Sequence, residues 1–237
     1  MGQEEFGGPI ALGRGRTLRR LHVSDVQKTQ DSDDEQQFGS AMRAGDAAAL
    51  GEAFERYRDR LRRIVRFRLD YRLAGRISES DVLQEVYIAA AKRLEYFGQN
   101  DMSPFLWLRL MVGQQLIDLH RQHLQAGKRD ARREVSLDAG APSPHTSVAI
   151  AAQLVGQRTA VSEILDRQEQ IDKLEGTLNQ MDEIDREVIA LRHFEELSNV
   201  EAASVLGIEP AAASKRYVRA LARLAKLMAD WQKEGPE

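Results

Sequence analysis

Several groups of side chains recur at helical spacing, and their types decide which chemistry is open to them. Asp81, Gln84, Glu85 and Ile88 stand at i, i+3, i+4 and i+7. That puts them on one exposed helix face while Val82, Val86 and Ala90 turn elsewhere; acidic residues at this place also favour a helix N-terminus through the macrodipole. Trp107, Gln114 and Arg121 lie seven apart with Asp118 beside them, opposite an inner face of Phe105, Leu108, Val112, Leu116 and Leu119. An outward tryptophan there could stack on a nucleic-acid base, or pack under the first helix or the tail. Ala211, Ala212, Lys215, Arg219 and Lys226 share a third face, flanked by Arg216 and Arg223. Small residues at the N-terminal end and cations along the face suit a DNA major groove, where Ala meets thymine methyls and Lys or Arg bonds guanine edges and phosphates. The bland alternative is a helical hairpin with a solvated basic face.

Bond-making chemistry is poorly served. His120 and His123 stand at i, i+3, a spacing that could hold a metal, but no third ligand is in register. There is no HExxH, no GxxxxGK[ST], no nucleophile motif and no cysteine. No catalytic residue, metal or cofactor is expected, and the chain is not expected to be an enzyme.

The elements that position these residues are helices throughout. Apolar positions recur at helical spacing, and no alternating strand pattern occurs, so the fold class is all-α. Residues 1–37 are rich in Gly, Arg and Asp without a period and are expected to form a disordered tail. One helix is expected from an Asp46 cap to about Leu69. A second opens on the capping-box-like Ser78 and Asp81 and runs to about Leu94. Ser103-Pro104 opens a third that reaches about Gln125. Residues 128–160 lose the pattern and contain Gly140, Pro142 and Pro144; they are expected to be a flexible linker. Four helices follow between Val161 and Trp231. Ser198 and Glu201 form a capping box, Gly207 sits where a tight turn needs positive φ, and Pro210 opens the next helix, whose buried stripe reads Tyr217, Leu221, Leu224, Met228 and Trp231.

Net charge is −3 over 237 residues, but it is unevenly placed: +6 over residues 40–133, −10 over 134–210 and +3 over 211–237. Basic blocks concentrate phosphate and the acidic block repels it. Nine arginines fall between Arg56 and Arg76, against Asp59 and Asp70. They fit either contact with nucleic-acid phosphates or a partner protein, or a chain generally rich in arginine. The opening MGQEEFGG is unlike a signal peptide and no apolar run spans a bilayer, so a cytoplasmic protein without membrane insertion is expected.

DVLQEVYIAAAKRL followed by FLWLRLMVGQQLIDLHRQH resembles region 2 of the sigma-70 family. LNQMDEIDREVIALRHFEELSNVEAASVLGIEPAAASKRYVRALARL resembles region 4. The two, in this order and with nothing like region 3 between, are similar to the extracytoplasmic-function (ECF) group. The resemblance implies two small helical domains: a region 2 bundle of three to four helices at 38–127 and a region 4 helix-turn-helix at 161–237, joined by the linker. It implies a sigma factor that binds RNA polymerase core enzyme and selects promoter DNA. Asp81, Gln84, Glu85 and Ile88 match the face that docks on the β′ clamp helices, with the β subunit a further contact. Tyr96, Asn100, Asp101 and Met102 match the loop that captures a flipped base of the −10 element, with Trp107, Gln114, Asp118 and Arg121 on the helix beside it. Ala211, Ala212, Lys215, Arg216 and Arg219 match the helix that reads the −35 element. Gly113 and Gln114 replace a frequent Arg-Asn pair, and Ala213 and Ser214 replace the usual Val-Lys, so a typical member's promoter sequence does not carry over with the general role. An anti-sigma partner is compatible with the resemblance. Two rival readings are a stand-alone helix-turn-helix regulator and a decoy that binds polymerase without supporting initiation.

Overall fold

The computed structural model describes residues 37–73, 75–99, 101–124, 145–156 and 164–233. Every regular element among them is helical. Nearly all of the expected tail, at residues 1–36, lies outside the described residues, as do 125–144 and 157–163 of the stretch between the two modules.

The first module holds α1 (residues 37–43), α2 (Ala47–Arg68), α3 (Glu79–Lys92), the single turn α4 (Leu94–Phe97) and α5 (Pro104–Leu124). Asp46 starts α2 by accepting from the backbone N–H of Ala48 at 2.8 Å, satisfying a donor that the helix leaves unpaired. Ser78 and Asp81 form the reciprocal capping box of α3. The stripes Leu50, Phe54, Leu61 and Val65 of α2, Val82 and Val86 of α3, and Phe105, Leu108 and Val112 of α5 close on one another as the core. Gly98 follows α4 where a Cβ would stand 2.9 Å from the Arg43 carbonyl oxygen, so only glycine lets α1 and α4 approach this closely.

The second module holds α7 (Ile164–Leu178), α8 (Glu183–Ile189), a π-helical turn at Ala190–Phe194, α9 (Asn199–Leu206) and α10 (Pro210–Lys233). Four α-helices thus occupy the span where four were expected. The π turn was not foreseen. In it the Glu195 N–H reaches back to the Ala190 carbonyl, and Glu196 follows with φ +57°, an uncommon conformation for a residue other than glycine.

Residues 146–156 correct the expectation of a flexible linker. They form α6 (Thr146–Gly156), buried along most of its length. TSVAIAAQLVG shows no amphipathic stripe because α6 has few polar residues to present: it lies against α7 and α8 on one side and α2 on the other. It joins the two modules as a packed element.

Candidate nucleic-acid interface

The helix-turn-helix follows from local chemistry. Ser198 Oγ accepts from the Glu201 N–H at 3.2 Å, and a Glu201 carboxylate oxygen accepts from the Ser198 N–H at 2.7 Å. Gly207 takes φ +62°, its N–H closing on Ala203 and Ser204 while the Ile208 N–H bonds the Ala203 carbonyl. That left-handed stop, with Ile208 against the core, turns the chain into α10. Ala213, Ala220, Leu224 and Met228 are buried on the inner side of α10, and Tyr217, Leu221 and Trp231 flank them partly buried. Ala211, Ala212, Lys215 and Arg219 are exposed together on the outer side, as expected. Arg216 differs: it donates to Asp182 at 3.2 Å and to Asp185 at 3.0 Å, and Arg223 donates to Asp185 at 2.7 Å. Buried Asp185 thus clamps α10 to the start of α8 and draws Arg216 to the side of the reading face.

On α3, Asp81, Gln84 and Glu85 are exposed and Ile88 is 37% exposed beside Tyr87, forming one open surface. Asp81 also serves the capping box, as the reading of the helix start expected. Arg66 of α2 grips Glu79 at 2.7 and 3.1 Å, which fixes the start of α3 and holds the Glu79 carboxyl below its ordinary range.

The loop before α5 is mixed. Tyr96 is 60% exposed and Asp101 exposed; Met102 is half-buried against the core, and Asn100 lies outside the described residues. Trp107 corrects the sequence reading. It is buried, with its ring 5.1 Å from that of Phe97. Here it is a core residue, unable to meet a base, and its ring packs on Phe97 of α4. Gln114 accepts from Arg93 at 2.5 Å; Asp118 and Arg121 are exposed. The shared face of Trp107, Gln114 and Arg121 is real by angle, but α4 covers its first turn. His120 and His123 part company: His120 lies 3.6 Å from Asp70 and stacks on His145 at 3.8 Å, while His123 is exposed. Arg72 pairs with Asp70 at 2.7 Å, and although burial works against it, these bonds hold the Asp70 carboxyl far below its usual range.

Sequence reasoning missed the seam between the modules. Arg68 Nη2 lies 2.5 Å from Glu187 and 2.5 Å from Glu195, and Arg109 Nε donates to Glu195 at 2.8 Å. Thr146 of α6 bridges the group, its Oγ1 2.9 Å from Arg68 and 2.6 Å from Glu187. Arg60 reaches the second carboxylate oxygen of Glu201 at 2.7 Å, and Arg63 reaches Glu196 at 2.8 Å. Phe67 stacks on Phe194 at 4.7 Å with planes 4° apart. Burial alone would push the Glu195 carboxyl up, but Arg109 and Arg68 hold it at about 2. Burial likewise opposes the Arg68 charge, yet Glu187 and Glu195 raise its pKa further. The one sequence signal was charge: the basic and acidic blocks supply the two halves of the seam.

A helix-turn-helix with a basic outer face, carried beside a second all-helical module, defines a class. Residues 171–224 match the family model described as Sigma-70, region 4. The chain is 28% identical over 192 residues to the RNA polymerase sigma factor NccH of Alcaligenes xylosoxydans xylosoxydans, covering 78% of this chain and 89% of that protein. A structure of CnrH in complex with the cytosolic domain of CnrY covers 83% of this chain and 98% of its own, with 23% identity and a TM-score of 0.45. Residues 171–224 thus match a sigma-70 region 4, and over most of its length the chain is similar to a sigma factor.

Proposed function

We propose that the chain binds RNA polymerase core enzyme and directs it to promoter DNA, without chemistry of its own. The observation that carries this reading is the exposed Ala211, Ala212, Lys215 and Arg219 face on a helix-turn-helix matching region 4. The residues near 38–127 would engage polymerase through Asp81, Gln84, Glu85 and Ile88 and the −10 element through Tyr96, Asn100, Asp101, Met102, Gln114, Asp118 and Arg121. Those near 161–237 would read the −35 element, with Arg216 as a brace to α8. Trp107 supports the −10 surface from beneath. Each module alone gains little: a mismatched base pair costs about 1–3 kcal/mol, so selection comes from holding two weak readers on one enzyme. No helix of the described residues is long and apolar enough to cross a membrane.

Run-off transcription with core enzyme and a panel of promoters tests the proposal. Selective initiation that needs the chain is expected. Core binding without initiation would favour the decoy, and tight operator binding without polymerase the stand-alone regulator.

A further inference from the structure

The arginine block of α2 is left over by the proposed function, and the seam shows what it touches. Arg60, Arg63 and Arg68 fall on one side of α2, and Arg109 of α5 joins them. Along the helix axis Arg60 to Arg68 spans about 12 Å, the rise of three to four base pairs. Each guanidinium meets a carboxylate of the second module: Glu201, Glu196, Glu187 and Glu195. Four cations of the basic block are thus neutralised by four anions of the acidic one.

This closed pairing conflicts with simultaneous promoter reading. Sites centred 20–25 base pairs apart are roughly 70–85 Å distant along DNA. Modules of this size are roughly 30 Å across, and here they touch. The seam must part before both promoter elements are read, and the four arginines then lose their counter-charges. Guanidinium forks donate to phosphate oxygens in the geometry in which they donate to carboxylates.

We propose that Arg60, Arg63, Arg68 and Arg109 form a surface for the DNA phosphate backbone, which the glutamates of the second module cover in the closed protein by standing in for phosphates. This rests on the sigma-factor reading and adds a sequence-independent DNA contact masked within the chain. Because α3 carries the face assigned to polymerase, the uncovered arginines are assigned to nucleic acid.

The full chain with Glu187→Gln and Glu195→Gln tests it. Since the chain has no cysteine, dyes on Lys92→Cys and Lys226→Cys, both exposed, report module separation. Circular dichroism checks folding. Binding of a random-sequence 30-base-pair duplex is followed by fluorescence anisotropy against salt. The variant is expected to open, to bind the duplex at least about tenfold more tightly, and to steepen the salt slope by about 2–3. Adding Arg60→Gln and Arg63→Gln should take back about 1.8 of that slope. In holoenzyme, where folding of the Gln pair is not at issue, Arg63→Gln alone should lower the salt slope of promoter binding by about 0.9 with core affinity unchanged. Failure to open, opening without gain in duplex affinity, a gain indifferent to Arg60 and Arg63, or a change in core affinity in place of DNA affinity would each overturn the proposal. Run-off transcription with the unaltered chain reports separately on the sigma-factor reading.

Discussion

Trp107→Ala separates a core tryptophan from a base-stacking one. The side chain is 3% exposed and its ring meets Phe97 at 5.1 Å. Truncating a buried Trp to Ala removes its transfer free energy and leaves a cavity, together about 3–5 kcal/mol. With a urea m-value of about 2 kcal/mol/M, the unfolding midpoint of the first module should fall by about 1.5–2.5 M. Trp107→Phe keeps most of the apolar contact and should cost far less. Urea titrations by circular dichroism measure both, since Trp231 remains as a second fluorophore that complicates emission. A midpoint shift below about 0.5 M together with loss of promoter opening would refute the burial reasoning, because it would show the ring spending its time outside the core.

Gly207→Ala forces a Cβ into φ +62° and should cost about 1–2 kcal/mol, read as a lower melting temperature with weaker −35 recognition. Lys215→Ala or Arg219→Ala should weaken promoter binding by about 1–3 kcal/mol, seen in footprinting of holoenzyme, while core affinity stays the same. Replacing Asp81 and Gln84 together should raise the dissociation constant for core enzyme in a binding titration. Asp81→Asn should also loosen the start of α3, so the Gln84 single variant isolates the contact. Glu195 has a folded pKa of about 2, below the 4.5 of a free glutamate, so its stabilisation is fully present above about pH 4.5 and is lost as pH falls towards 2. The dye pair should report a closed seam from pH 7 to 5 and opening only below about pH 4, with a contribution of about 3 kcal/mol at most; Glu195→Gln should weaken that pH dependence, the other three carboxylates of the seam remaining.

What was legible in the sequence was local. Ser78 with Asp81, Ser198 with Glu201, Gly207 and Pro210 act within a few residues, so their types announce their roles. The outer face of α10 was legible because its inner stripe is apolar at 3.6 spacing. Arg216 was placed beside the face by angle and in the reading set by the resemblance, but its partners Asp182 and Asp185 lie more than thirty residues away and leave no local mark. Trp107 misled because a seven-residue spacing gives direction without saying what covers each turn. The helix α6 was hidden because a segment buried on most sides lacks the polar-apolar alternation by which helices are read. The seam joins residues 78–141 apart in sequence, and only block charge hinted at it.

The π turn between Ala190 and Phe194 holds one residue more than an α-helix would. Take that residue out, and α8 would run on unbroken. Everything after it would swing by about 100°, carrying Phe194 away from Phe67 and Glu195 away from Arg68. Chain length at this point is therefore as tightly specified as any side chain: a relative could exchange many surface residues and keep the two halves together, yet lose their union through a single codon deleted here.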